Sequence, residues 1–165
     1  MLGMTQTATR ALPGRISGGR SVIAEYAMRS VGSMRAETWE TPDLLAESGY
    51  DYVCDWVLDD QPVWLRTRSR PILNIPYTQE CNDVAMMLIQ HHKASEYCDR
   101  ALDQFEQVYA DAEGSARVMA LVVHPYIMGA PHRTRYFRKV IEAISAKPDV
   151  VCWTGEQICD WYKAQ

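Results

Sequence analysis

No apolar run in these 165 residues approaches the roughly 18 that span a bilayer. The opening stretch, Met1–Leu12, is too short and too polar to be the apolar segment of a secretory signal. The sequence has no CxxC pair, no HxxxH or HExxH, no glycine-rich phosphate loop and no GxSxG. Those absences remove short-spaced zinc sites, P-loop nucleotide enzymes and the serine-hydrolase elbow from consideration. Cysteine is present but odd in number: Cys54, Cys81, Cys98, Cys152 and Cys159 lie within apolar segments. They read as reduced, buried thiols of a cytoplasmic protein rather than a disulfide framework.

Acidic residues are scarce at the start of the chain. The first 36 residues hold five arginines, no lysine and a single acid, Glu25, for a net +4. The other 129 residues hold 12 bases and 20 acids, a net of -8. The arginines stand singly among Gly, Ser, Ala and Thr, a composition that suits a poorly packed tail. An organellar transit peptide or an out-of-frame translation has the same composition. Residues 1–36 are therefore expected to be a poorly ordered, separate segment, and residues 37–165 to form one domain.

Ordered patterning starts near Thr41. Thr41-Pro42 reads as an N-cap and first helical position, and Gly49 as a helix end. Tyr50–Cys54, Val63–Leu65 and Pro71–Ile75 read as short strands, the last two around the basic turn Arg66–Arg70. Asn82 can cap a helix through Ile89. A longer helix, from about Ser95 to Ala112, repeats apolar residues at Tyr97, Ala101, Phe105, Val108 and Tyr109. Val118–Val123 is apolar without alternation, as in a parallel strand covered on both faces. Tyr136–Ile144 is amphipathic, Asp149–Trp153 is a buried strand, and Thr154 with Gln157 forms a capping box. Strands alternating with helices predict an α/β fold with a mostly parallel sheet or barrel.

Function in such folds gathers at the carboxyl ends of strands. Three candidate ends are rich in reactive groups: Asp55-Trp56 with Asp59-Asp60, His124-Pro125-Tyr126 followed by His132-Arg133, and Trp153–Glu156. The loop Tyr77–Asp83, with Glu80 and Asn82, adds a fourth polar cluster. Each has a plain alternative. Asp59-Asp60 is either functional or a solvated turn. His124 either donates a proton beside a carboxylate or satisfies buried backbone. Trp56 is either packing or a substrate wall, and His91-His92 is taken as structural. The histidines are far apart, so spacing alone proposes no metal site.

Four segments in order, Thr41–Pro62, Pro76–Asp83, Val123–Arg133 and Trp153–Ile158, resemble the polysaccharide deacetylase superfamily, closest to its bacterial allantoinase and cyclic-imide-hydrolase branch. The resemblance covers about Glu37 to Tyr162. It implies the C-terminal half of a distorted (β/α) barrel and hydrolysis of a non-peptide C–N bond, with a cyclic ureide, imide or N-acetyl sugar as small-molecule substrate. Its deacetylases use an Asp and two His on a metal, in motifs outside this chain, so no cofactor is expected here and a divalent metal such as zinc belongs to the complete domain. Carried over residue by residue, it implies His124 as general acid with Asp59 and Asp60 beside it. Asp55, Trp56, Glu80, Asn82, Tyr126, His132 and Arg133 are implied around the substrate. A contrasting expectation is a catalytically silent fragment that self-associates, or that binds a complementary N-terminal half. No nucleic acid or membrane partner is expected.

Overall fold

The computed structural model describes residues 22–25 and 38–165. Strand β1 (Val22–Glu25) lies between β5 (Arg117–Ala120) and β6 (Val150–Trp153), and all three run parallel. The register sets Ile23 beside Val118 on one side and Val151 on the other. A second sheet has β2 (Tyr52–Val53) parallel to β4 (Ile72–Asn74), and β3 (Val63–Leu65) antiparallel to it. The architecture is thus mixed α/β with two open three-stranded sheets, and a closed barrel is not formed by the described residues. Val22–Glu25, within the segment expected to be poorly ordered, is a strand; the rest of residues 1–36 lies outside the described residues.

The helices follow the periodicity of their apolar residues. Helix α1 (Thr41–Glu47) carries Pro42 in its first turn, and Gly49 follows it at a φ of 88° that favours glycine. Thr41 is inside the helix rather than its N-cap; its Oγ1 instead accepts the Thr38 N–H at 3.0 Å. Helix α2 (Ala94–Asp111) buries Tyr97, Cys98, Ala101, Phe105 and Val108 along one face. Helix α3 (Pro131–Ser145) buries Val140 and Ile144 against it. Helix α4 (Gly155–Lys163) begins with the expected capping box, in which Thr154 Oγ1 accepts from Gln157 N and Gln157 Oε1 accepts from Thr154 N. Between β4 and α2 the chain forms a single π-helical segment, Val84–Ile89, where an ordinary helix was expected.

Alternation along β5 joins two cores. Met119 and Leu121 face the cluster made by α2, α3 and the π-helical segment. Val118 faces the opposite cluster, with Leu73, Ile75, Trp153, Ile158 and Cys159. The strand is therefore covered on both sides, as its unbroken apolar run predicts. Cys81, buried in the first of these clusters, has its thiol pushed up to about 12 by burial. Its Sγ lies 2.9 Å from Gln104 Oε1. The five cysteines are free.

Phe105 is the largest apolar anchor of α2 and is 1% exposed. Phe105→Ala is expected to destabilise the fold by about 3–5 kcal/mol. Urea unfolding followed by circular dichroism checks this, and a loss under about 1 kcal/mol would mean that α2 is not seated as described.

Candidate functional site

The parallel sheet does not end cleanly at Ala120. Beyond it, Val122 forms a parallel bridge with Asn82: Val122 N donates to Cys81 O at 2.9 Å, and Asp83 N donates to Val122 O at 3.1 Å. That short ladder sets residues 81–83 beside residues 122–124 and brings Asp83 against His124. Asp83 is fully buried, and both of its carboxylate oxygens are used by one residue. Oδ2 accepts the His124 backbone N–H at 2.7 Å, and Oδ1 faces His124 Nδ1 at 2.6 Å. A carboxylate only accepts, so Nδ1 carries the hydrogen and the second ring nitrogen, Nε2, is left to meet a substrate. The His124 side chain is 37% exposed, enough for such access.

The loop after His124 is tightly wound. Ile127 N and Met128 N both donate to His124 O, at 3.0 and 2.9 Å. Any side chain at Gly129 would collide with the Pro125 carbonyl oxygen, so only glycine fits the return of this loop into α3. Ile127 and Met128 are buried beneath it. Tyr126 is 71% exposed, with its ring edge-on to His124 at 5.7 Å between centroids. Tyr97, wholly buried, sends its hydroxyl towards Cys81 O at 3.3 Å and Val122 O at 3.5 Å, on the same ladder that holds the pair.

Of the Asp55–Asp60 cluster expected beside His124, Asp59 and Asp60 are corrected by this geometry, in which Asp83 is the carboxylate on the ring. Asp59 and Asp60 sit at the opposite, amino end of β5: Val118 N donates to Asp60 O at 2.8 Å, and Asp60 Oδ2 lies 3.1 Å from Arg117 Nε. Gln61 fixes the same loop there through Ser115 Oγ and Ala116 O. Burial raises the Asp60 carboxyl above its ordinary range, while the hydrogen bond shared with Asp60 holds Asp59 below it. Both acids therefore belong to a loop anchor remote from His124. The physical reason is connectivity: the loop from β2 to β3 crosses to the start of β5, whereas His124 follows its end.

The other expected residues are dispersed. Tyr126 stands beside His124. Asn82 precedes Asp83, but its amide is committed, with Oδ1 accepting from Val84 N and Nδ2 donating to Tyr77 OH. Half-buried Asp55 and Trp56 follow β2; Trp56 is held by Asn74, whose Nδ2 donates to Trp56 O at 3.0 Å, and packs on Trp39. Glu80 is exposed and pairs with Arg100 at 3.5 Å. His132 and Arg133 open α3, with Arg133 donating to Ile127 O. Sequence reasoning gave Asp83, Tyr97, Asn74 and Gly129 no individual role in the site, although Asp83 closes the Tyr77–Asp83 cluster and Tyr97 lies on the apolar face of α2. The available signal for Asp83 was a lone acid wedged between Cys81 and the apolar run Val84–Ile89.

The described residues include no group of three or more His, Cys, Asp or Glu side chains placed to hold a metal ion. They do not supply the donor set that the deacetylase resemblance implies for a complete domain. No helix among them is long and apolar enough to cross a membrane.

No family model matches the sequence. A candidate polysaccharide deacetylase of Schizosaccharomyces pombe is 30% identical over 118 residues, covering 65% of this chain and 37% of that protein. The crystal structure of Puue allantoinase superposes with a TM-score of 0.72 at 25% identity, over 78% of this chain and 44% of that one. A candidate polysaccharide deacetylase from Pseudomonas aeruginosa superposes at 0.68 with 23% identity, over 74% of this chain and 42% of that one. Another from Mycobacterium smegmatis reaches 0.67 with 24% identity, over 80% and 48%. These last two likenesses are of fold. The chain spans less than half the length of each of these four proteins.

Two substitutions test the site. Asp83→Asn is expected to remove the fixed acceptor at Nδ1, mix the two His124 tautomers and cost about 1–3 kcal/mol of stability. Imidazole ¹⁵N shifts read the tautomer, and an unaltered spectrum would dissolve the pairing. Gly129→Ala is expected to displace the His124 turn; amide shifts of residues 124–130 that stay unchanged would count against the close approach described.

Proposed function

Because this chain is a partial polysaccharide deacetylase-like domain, similar in fold to an allantoinase and two candidate deacetylases, we propose that it carries the proton-donating half of a C–N hydrolase site. The observation that carries this reading is the Asp83–His124 pair. In the reaction, water adds its oxygen to the acyl carbon of an amide, and the C–N bond breaks. His124 Nε2, which the Nδ1–H tautomer leaves unprotonated, takes the proton that the attacking water loses and gives it to the departing nitrogen as the C–N bond breaks. Asp83 holds the ring through Nδ1–H and the backbone N–H, so the imidazolium formed between those two transfers is oriented and electrostatically supported. The products are a carboxylic acid and an amine or ureide nitrogen, and the histidine is restored to its neutral form.

Three substrate types suit this chemistry: a cyclic ureide, a cyclic imide and an N-acetyl sugar. Similarity to an allantoinase at 25% identity favours the first two. Tyr126, exposed and edge-on to His124, supplies a flat wall for a planar ring. Metal chemistry in such hydrolases activates the attacking water. This chain's own contribution is the acid and its orientation.

A second reading has its own observation. Leu88 and Ile89 are 50% and 66% exposed at the end of the π-helical segment, and Val57 and Leu58 are 55% and 50% exposed after β2. Among the described residues neither sheet closes on itself: β6 ends one, and β2 and β3 end the other. Unpaired edges and apolar patches promote association. On this reading the chain pairs with a second copy, or with a chain that completes the domain, and is silent alone.

Hydrolysis of allantoin, succinimide and N-acetylglucosamine oligomers by the purified chain separates the two readings. The catalytic reading expects turnover that His124→Ala lowers by about 10²–10⁴-fold with the melting curve unchanged. An unchanged rate in that variant would make His124 structural. The silent reading expects no turnover and a sedimentation coefficient above that of the monomer.

A further inference from the structure

The chain from residue 37 onward is acidic, yet one place in it gathers cations without partners. A cavity of about 390 Å³ opens between the first turns of α2 and α3. His92, Lys93, His132, Arg133 and Arg135 line it together with Tyr136, and no Asp or Glu does. Among the described residues, Lys93, Arg133 and Arg135 each lack a carboxylate partner within 4.0 Å, as do Arg66, Arg138 and Lys139 outside the cavity lining, whereas Arg68, Arg70, Arg100, Arg117, Lys147 and Lys163 each have one.

The cations are held in place rather than waving in solvent. Arg135 stacks on the Tyr136 ring at 4.7 Å and donates to its hydroxyl at 2.9 Å. Arg133 donates one N–H to Ile127 O at 3.2 Å, which leaves four of its five donors. His92 Nδ1 is 3.4 Å from Arg100, so that ring is also oriented. Glu96, the nearest acid in the first turn of α2, is turned to its own helix cap, where Oε2 accepts from Lys93 N at 2.6 Å. The amino ends of two long helices add partial positive charge to the same space. Positive groups crowded in this way repel one another, and a bound anion relieves the repulsion. His124, Asp83 and Tyr126 do not line this cavity, so it is separate from the proton-donating pair.

We propose that this cavity is a binding site for a small multivalent oxyanion, a compound bearing phosphate or two or more carboxylates. Its volume exceeds what a single inorganic ion fills and lies within the range of ordinary ligand pockets. Arginines supply bidentate, charge-assisted bonds to planar or tetrahedral oxyanions, and Lys93 supplies a point charge. The inference stands independently of whether His124 is catalytic.

Titration calorimetry at low ionic strength with pyrophosphate, citrate and acetate tests it, using the full chain. The expected result is one pyrophosphate or citrate per chain, with acetate at least tenfold weaker. The double variant Lys93→Gln/Arg135→Gln is expected to weaken that binding by about tenfold or more, while His124→Ala leaves it unchanged. Tighter pyrophosphate than citrate identifies a phosphate-bearing ligand, and the reverse order identifies a polycarboxylate. Thermal melts of the variants confirm that they are folded. If the double variant unfolds, perturbation of the His92 and His132 ring resonances by pyrophosphate in the wild-type chain supplies the same test. The proposal is overturned if neither multivalent anion binds, if folded variants bind as the wild type does, or if the ring resonances do not move.

Discussion

One buried carboxylate organises the middle of this molecule. Asp83 has no exposure to solvent, and a carboxylate without water must find donors or destabilise the fold by several kcal/mol. Both of its oxygens find them in His124, one on the backbone and one on the ring. Removing either donor would leave one buried carboxylate oxygen without a partner. The bond is therefore structural and chemical at once: it fastens the end of β5 to the start of the π-helical segment, and it presents His124 with a defined ring nitrogen free. The two-rung ladder beside it and the Tyr97 hydroxyl satisfy the neighbouring carbonyls, so this stretch of non-strand backbone has partners at depth.

Around that clamp the core divides along β5. Met119 and Leu121 look towards α2 and α3, and Val118 towards β4, β6 and α4. A strand covered on both faces transmits its position to both clusters, so the placement of His124 depends on packing from each side. The loop through Pro125 and Gly129 then converts that position into the start of α3. The same helix carries Arg133 and Arg135, which links the proton-donating pair to the cation-lined cavity by a single rigid element.

Charge is distributed by role rather than evenly. Most cations outside the cavity are spent on ion pairs that tie loops: Arg68 and Arg70 hold the β3–β4 turn to α1 and Asp51, and Arg117 holds the Asp59–Asp60 loop to β5. Arg70 and Lys163 beside Asp51 lower its carboxyl below the ordinary range. These surface contacts contribute modestly to stability because solvent screens them. They do fix which end of the sheet each acidic loop reaches.

The sequence by itself determined the local elements. Apolar spacing marked α2 and α3, the Thr154–Gln157 pattern marked the start of α4, and an unbroken apolar run marked β5 as a covered strand. It also singled out His124, because a histidine ending such a run is conspicuous, and four ordered segments carried the resemblance to polysaccharide deacetylases. It passed over β1, since four residues among arginine, serine and glycine give too short a period to see. It also assigned His124 the wrong acids. Asp59 and Asp60 form the louder acidic motif, and Asp83 is one acid in a polar loop. Only the tertiary structure decided between them, through a strand pairing of residues separated by about forty positions. Local patterns follow from interactions within a few residues of each other. A buried pair, or a cavity between two helix ends, is set by where distant segments meet.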